Sequence, residues 1–142
     1  MKILVINGPN LNMLGVRDVA HYGAKTLREI EILMQEKSLA LGSTLEFFQS
    51  NHEGEIIDTI QDERHWCNGI IINPGAFAHY SYAIRDAISS VDKATIEVHL
   101  SNTKKRESFR KKSVISEVCL KTISRKGKMG YLEGLQYLKV HI

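Results

Sequence analysis

Apolar and polar residues alternate in two rhythms along the 142-residue chain, and the switches between them predict its elements. Ile3 to Ile6 is a short apolar run stopped by Asn7-Gly8-Pro9-Asn10, a buried strand entering a turn-rich loop. A helical rhythm opens at Thr26, with Glu29 placed as in a capping box; Leu27, Ile30, Leu33 or Met34, and Leu41 recur at helical spacing up to Gly42. Thr44 to Gln49 reads as a second strand, Glu53 to about Arg64 as a second helix with Ile56, Ile57 and Ile60 on one face, and Gly69 to Asn73 as a third strand. Ala78 to Val91 is a third helix, Thr95 to Leu100 a fourth strand, Leu120 to Ser124 a fifth, and Gly130 to Val140 a final helix. Strands joined by helical crossovers pair in parallel, and right-handed crossovers cover both faces of the sheet. The pattern predicts an α/β, flavodoxin-like, doubly wound five-stranded parallel sheet in a single domain over residues 1–142. Ligands in such sheets bind beyond the carboxyl ends of the strands, so the loops after the first, third and fourth strands should converge.

Composition narrows the class. At 43% apolar and 25% charged residues, a chain of this length buries roughly two thirds of its unfolded surface and needs neither disulfide nor structural metal. Cys67 and Cys119 form no CxxC, and Met1-Lys2 runs straight into an apolar strand without a leader-like segment, so a reducing cytoplasm is expected. No apolar stretch approaches the ~20 residues that span a bilayer. Net charge is only +3, yet Lys104, Lys105, Arg106, Arg110, Lys111 and Lys112 crowd together. That cluster is a solvated face, a site for a small anion or a nucleic-acid surface. Phe109 is its one aromatic, too few for base stacking, which favours the small anion.

Candidate chemistry gathers at the predicted strand ends. A period of two puts Ile96, Val98 and Leu100 on one face of the fourth strand and Glu97, His99 and Ser101 on the other. A strand buried on both faces should be apolar, so Glu97 and His99 break the local rule, either as a structural pair or as a site pair in which the carboxylate orients the imidazole. The third strand ends in Asn73-Pro74-Gly75-Ala76-Phe77-Ala78-His79, a tight turn expected to present backbone N–H groups to an anion at a helix start. His79 and Asp86, seven residues apart, should share one side of that helix. The loop from Gly8 to Ala24 carries Asn10, Asn12, Arg17, His21 and Tyr22, while Leu11, Met13 and Leu14 want burial. A phenol with a reference pKa of about 10 is a poor base until a cation stabilises its anion, which gives an arginine beside a tyrosine chemical meaning.

Four segments together resemble the type II 3-dehydroquinate dehydratase family. They are Gly8-Pro9-Asn10-Leu11-Asn12-Met13-Leu14-Gly15 with Arg17 and Tyr22-Gly23, Asn51-His52-Glu53-Gly54-Glu55, Asn73 to His79, and Glu97-Val98-His99-Leu100-Ser101-Asn102. The likeness covers nearly the whole chain and includes Arg106 to Arg110 and Gly130-Tyr131. It implies a hydro-lyase that converts 3-dehydroquinate to 3-dehydroshikimate by anti elimination through an enolate, in the shikimate pathway of aromatic amino acid biosynthesis or in quinate breakdown. It casts Tyr22 as the base and Arg17 as the cation that lowers its pKa. Asn10 becomes an enolate stabiliser acting through water, His99 the acid and Glu97 its orienter. Asn73, His79, Leu100, Ser101 and Arg110 become the substrate-binding set, with Arg110 on the carboxylate, and Asp86 enters a neighbouring subunit's site in a dodecamer of trimers. This chain departs from the family's usual pattern at Val19, at Tyr80 and in the normally glycine-rich stretch Lys121 to Gly127.

Enolate formation followed by loss of hydroxide needs a base, an oxyanion stabiliser and an acid, all supplied here by side chains. No cofactor and no metal are expected, since three spaced histidines do not make a zinc site. The expected partners are the small anionic substrate and copies of the chain itself, with neither nucleic acid nor membrane. A signalling receiver on the same fold would need acidic residues after the first strand, and a nucleotide or flavin binder a glycine-rich phosphate loop; neither pattern occurs.

Overall fold

The computed structural model describes residues 1–142 except Arg17 and the side chain of Lys104. Five parallel strands, β1 (Lys2–Asn7), β2 (Thr44–Gln49), β3 (Gly69–Asn73), β4 (Ala94–Val98) and β5 (Lys121–Ile123), form one sheet in the order β2-β1-β3-β4-β5. Helices α1 (Val19–Tyr22), α2 (Leu27–Ala40), α3 (Glu53–Asp62), α4 (Tyr82–Val91) and α5 (Met129–His141) connect or follow them. No helix is long and apolar enough to cross a membrane.

The period of two in the strands sorts the core into two layers. Ile3, Val5, Ile71, Ile96 and Val98 point to the side where Ile30 and Met34 of α2 and Tyr131, Leu135 and Leu138 of α5 pack. Leu4, Ile6, Ile70 and Ile72 point to the opposite side, against Ile56 and Ile60 of α3 and Ile84 and Ile88 of α4. Burying each such side chain contributes about 1.5–3 kcal/mol, which is why β1 and β3 are apolar on both faces. Leu100 continues the face of Ile96 and Val98, as its spacing implied. Thr26 caps α2 by accepting the N–H of Glu29 at 3.2 Å.

Several boundaries differ from the sequence pattern. The third long helix starts at Tyr82 rather than Ala78, because Ser81 accepts the N–H of Ile84 and caps it there. Gly75–His79 is instead a separate 3-10 turn, and Glu63–His65 is another, ending the run of α3 early. The stretch from Gly8 to Ala24 is partly ordered into a 3-10 turn (Leu11–Met13) and α1. Leu11 and Leu14 are buried there, but Met13 is 45% exposed.

The chain runs from β1 outward to β2 and then crosses to β3 on the other side, so the direction of winding reverses at β1. That reversal leaves a crevice beyond the ends of β1 and β3. The N–H of Gly8 donates to the carbonyl of Asn73 at 2.8 Å, which holds the two loops together at its floor.

Candidate active site

A pocket opens at this crevice. Asn10, Tyr22, Asn73, His79, His99, Leu100, Ser101 and Arg110 all line it, so three strand ends and α1 converge as the topology requires. Asn10 has φ +68°, a left-handed conformation that Asn tolerates better than most residues, and its N–H donates to Oδ1 of Asn51 at 3.0 Å.

Asn73 is fixed from below. Its Nδ2 donates to the hydroxyl of Tyr131 at 3.0 Å, its Oδ1 accepts the N–H of Gly75 at 3.2 Å, and the Tyr131 hydroxyl donates to Oδ1 of Asn7 at 2.6 Å. Complete burial pushes the Tyr131 phenol well above its usual range, so it stays a donor. Of the backbone N–H groups expected to be presented by this turn, that of Gly75 is thus already engaged.

His99 backs onto Glu97, its Nε2 lying 2.6 Å from Oε1 of a fully buried carboxylate. A carboxylate at that nitrogen leaves Nδ1 as the ring atom available to the pocket that His99 lines. Glu97 itself stands behind the pocket. His79 turns Nδ1 to the carbonyl of Lys112 at 2.7 Å; a carbonyl only accepts, so Nδ1 carries the proton and Nε2 is left as an acceptor. Burial holds the His79 imidazole below its ordinary value.

The basic cluster resolves residue by residue. Arg106 and Arg110 turn into the pocket, while Lys105, Lys111 and Lys112 stay exposed. Arg106 donates from Nη1 to the Tyr22 hydroxyl, and its guanidinium carbon lies 5.0 Å from the centre of that ring. Glu107 bridges the two arginines, 2.7 Å from Nε of Arg110 and 3.9 Å from Nε of Arg106. The sequence placed Arg106 in the basic cluster and in the family likeness but gave it no site role, although an arginine among lysines is the residue better suited to an interior polar contact.

Asp86 is not brought to this pocket. His79 lies in the 3-10 turn before α4 and shares no helix face with Asp86, which is exposed on α4 and pairs loosely with Arg85 at 3.9 Å. Arg17 lies outside the described residues. The pocket therefore sets a phenolic oxygen, held by a guanidinium, within the same crevice as an imidazole backed by a carboxylate. Those are the partners needed to remove one proton and deliver another.

The chain matches the family model for dehydroquinase class II over residues 1–139. The 3-dehydroquinate dehydratase of Bacillus cereus strain AH820 is 55% identical over 130 residues, covering 92% of this chain and 89% of that protein. Among solved structures, the type II dehydroquinase of Butyrivibrio crossotus superposes with a TM-score of 0.95 at 48% identity, covering 97% of each chain. That of Propionibacterium acnes superposes with a TM-score of 0.94 at 37% identity, covering 98% of this chain and 96% of its own. With its fold, its crevice and these likenesses in agreement, the chain belongs to the class II dehydroquinases.

Proposed function

We propose that this pocket removes water from 3-dehydroquinate by anti elimination, as a hydro-lyase. The Tyr22 phenolate takes the α-proton beside the ketone, and the electrons of that C–H bond move onto the ketone oxygen as an enolate. The enolate collapses, restoring the carbonyl, forming the carbon–carbon double bond and expelling the hydroxyl, which leaves as water with a proton from His99. Tyr22 is then protonated and His99 deprotonated, and proton exchange with solvent resets both.

The observation that carries this reading is the Arg106 guanidinium on the Tyr22 oxygen in the pocket that the Glu97-backed His99 also lines. A cation at the phenolic oxygen stabilises the phenolate, and a carboxylate at Nε2 stabilises the imidazolium that donates from Nδ1. Arg17 is assigned a second cationic role at Tyr22, and Asn10 the enolate, through water. Asn73, His79, the Leu100–Ser101 backbone and the Ser101 hydroxyl are assigned the substrate. Arg110 is given its carboxylate, since it lines the pocket and its planar guanidinium suits a paired contact with a carboxylate.

Asp86 is assigned to the pocket of a neighbouring copy in a dodecamer built of trimers, which its exposure on α4 away from its own pocket supports. The unpaired thiols of Cys67 and Cys119 support a reducing, cytoplasmic setting. The same site serves aromatic biosynthesis or quinate breakdown. Incubation of the purified protein with 3-dehydroquinate should produce the ultraviolet absorbance of a conjugated enone. A folded protein that generates none at any substrate concentration rejects the proposal.

A further inference from the structure

We propose that Ser113 is a positioning residue for His99, acting through Glu97; this rests on the assignment of His99 as the acid. Glu97 is completely buried at the end of β4, where an unsupported carboxylate would rotate to find partners. Three donors fix it. Oε1 accepts both the Ser113 hydroxyl at 2.7 Å and His99 Nε2, and Oε2 accepts the hydroxyl of Thr122 at 3.2 Å. Thr122 stands directly opposite Glu97 in the β4–β5 ladder, so that contact follows from strand register.

The direction of the Ser113 bond is determined by its other contacts. Its Oγ accepts the N–H groups of Ile115 at 3.2 Å and Ser116 at 3.1 Å. A hydroxyl has two lone pairs and one proton, so with both lone pairs engaged the proton points at Glu97. The serine is itself held independently of the carboxylate. On one side the Lys112 carbonyl receives His79 Nδ1, and on the other the Val114 N–H donates to the carbonyl of Ala78 at 2.8 Å. The residues Lys112 to Val114 thus form a fixed strip that sets the orientation of His79 directly and of His99 through Glu97. Ser113 is absent from the pocket that Tyr22 lines and borders an adjoining cavity shared with His79, His99 and Arg110, where its hydroxyl proton is committed to Glu97.

Ser113→Ala should lower kcat by about tenfold or more, because a misplacement of about 1 Å in a proton donor costs up to about 100-fold. KM should stay within about twofold, and Ser113→Thr, which keeps the hydroxyl, should restore most of kcat. The independent readout is the nitrogen-bound Nε2 proton of His99 followed by NMR without substrate. It should be sharp and slowly exchanging in the parent and in Ser113→Thr, and broadened in Ser113→Ala. Thr122→Val, which leaves the Ser113 turn intact, should show a smaller change in both, and it carries the test if Ser113→Ala does not fold. An unchanged His99 signal with unchanged kcat in a folded Ser113→Ala protein, or a loss confined to KM, overturns the proposal. A His99 signal that responds as described in a protein without dehydratase activity would instead uphold the positioning and reject the function above.

Discussion

Among the pocket residues, His79 couples the site to the stability of the fold. Its proton sits on Nδ1 against the Lys112 carbonyl, and burial disfavours a second proton on Nε2, so its folded pKa is depressed below the ordinary imidazole value. The unfolded chain then takes up the proton first as the pH falls, and stability declines from the ordinary imidazole value of about 6.5 down to the folded one. Urea denaturation on either side of that window should show a steeper acid loss in the parent than in His79→Asn. Equal slopes would mean that the imidazole is not held neutral by its surroundings. At this scale the sequence was only partly legible. Glu97 and His99 showed themselves by breaking an apolar strand, a local signal. Arg106 and Tyr131 did not, because their partners Tyr22 and Asn7 lie 84 and 124 positions away and no periodicity reports such a contact.

At the scale of elements, strands and long helices were legible because each buries a face whose period is written in apolar residues. Turns were less so. The run from Ala78 reads as continuous helix by its apolar spacing, yet a serine cap at Ser81 outweighs that rhythm, and His79 is consequently carried on a 3-10 turn. Two backbone positions test how the loops are held. A Cβ on Gly8 would stand 2.6 Å from the carbonyl oxygen of Pro74, so Gly8→Ala must part the β1 and β3 loops and should cost about 1–3 kcal/mol. Arg125 sits at φ +68° in the stretch before α5 that departs from the family's glycine-rich pattern. Arg125→Gly should stabilise by about 0.5–1 kcal/mol, raising the thermal midpoint by about 2–5 °C. Thermal unfolding of both variants decides; a tolerated Gly8→Ala or a destabilised Arg125→Gly would contradict the backbone account.

For the whole molecule, the order of strands alone located the site, since a doubly wound sheet has its crevice where the winding reverses. What the order did not reveal is how the basic segment between β4 and β5 folds over that crevice. Two short 3-10 turns, Thr103–Lys105 and Ser108–Lys111, direct Arg106 and Arg110 inward, and such turns have no strong apolar period. The proposed mechanism divides labour across the pocket, with the base on α1 and the acid beyond β4. Exchange of the substrate α-proton in deuterated solvent, followed together with turnover in Tyr22→Phe and His99→Ala, separates the two roles. Both variants should lose about 100-fold or more in turnover, the usual contribution of a positioned acid or base. Exchange should vanish in Tyr22→Phe, whose ring still packs but has no oxygen to take the proton, and persist in His99→Ala, where the enolate forms and returns. Rapid exchange by a folded Tyr22→Phe protein, with none in His99→Ala, would contradict the account and reverse the two roles.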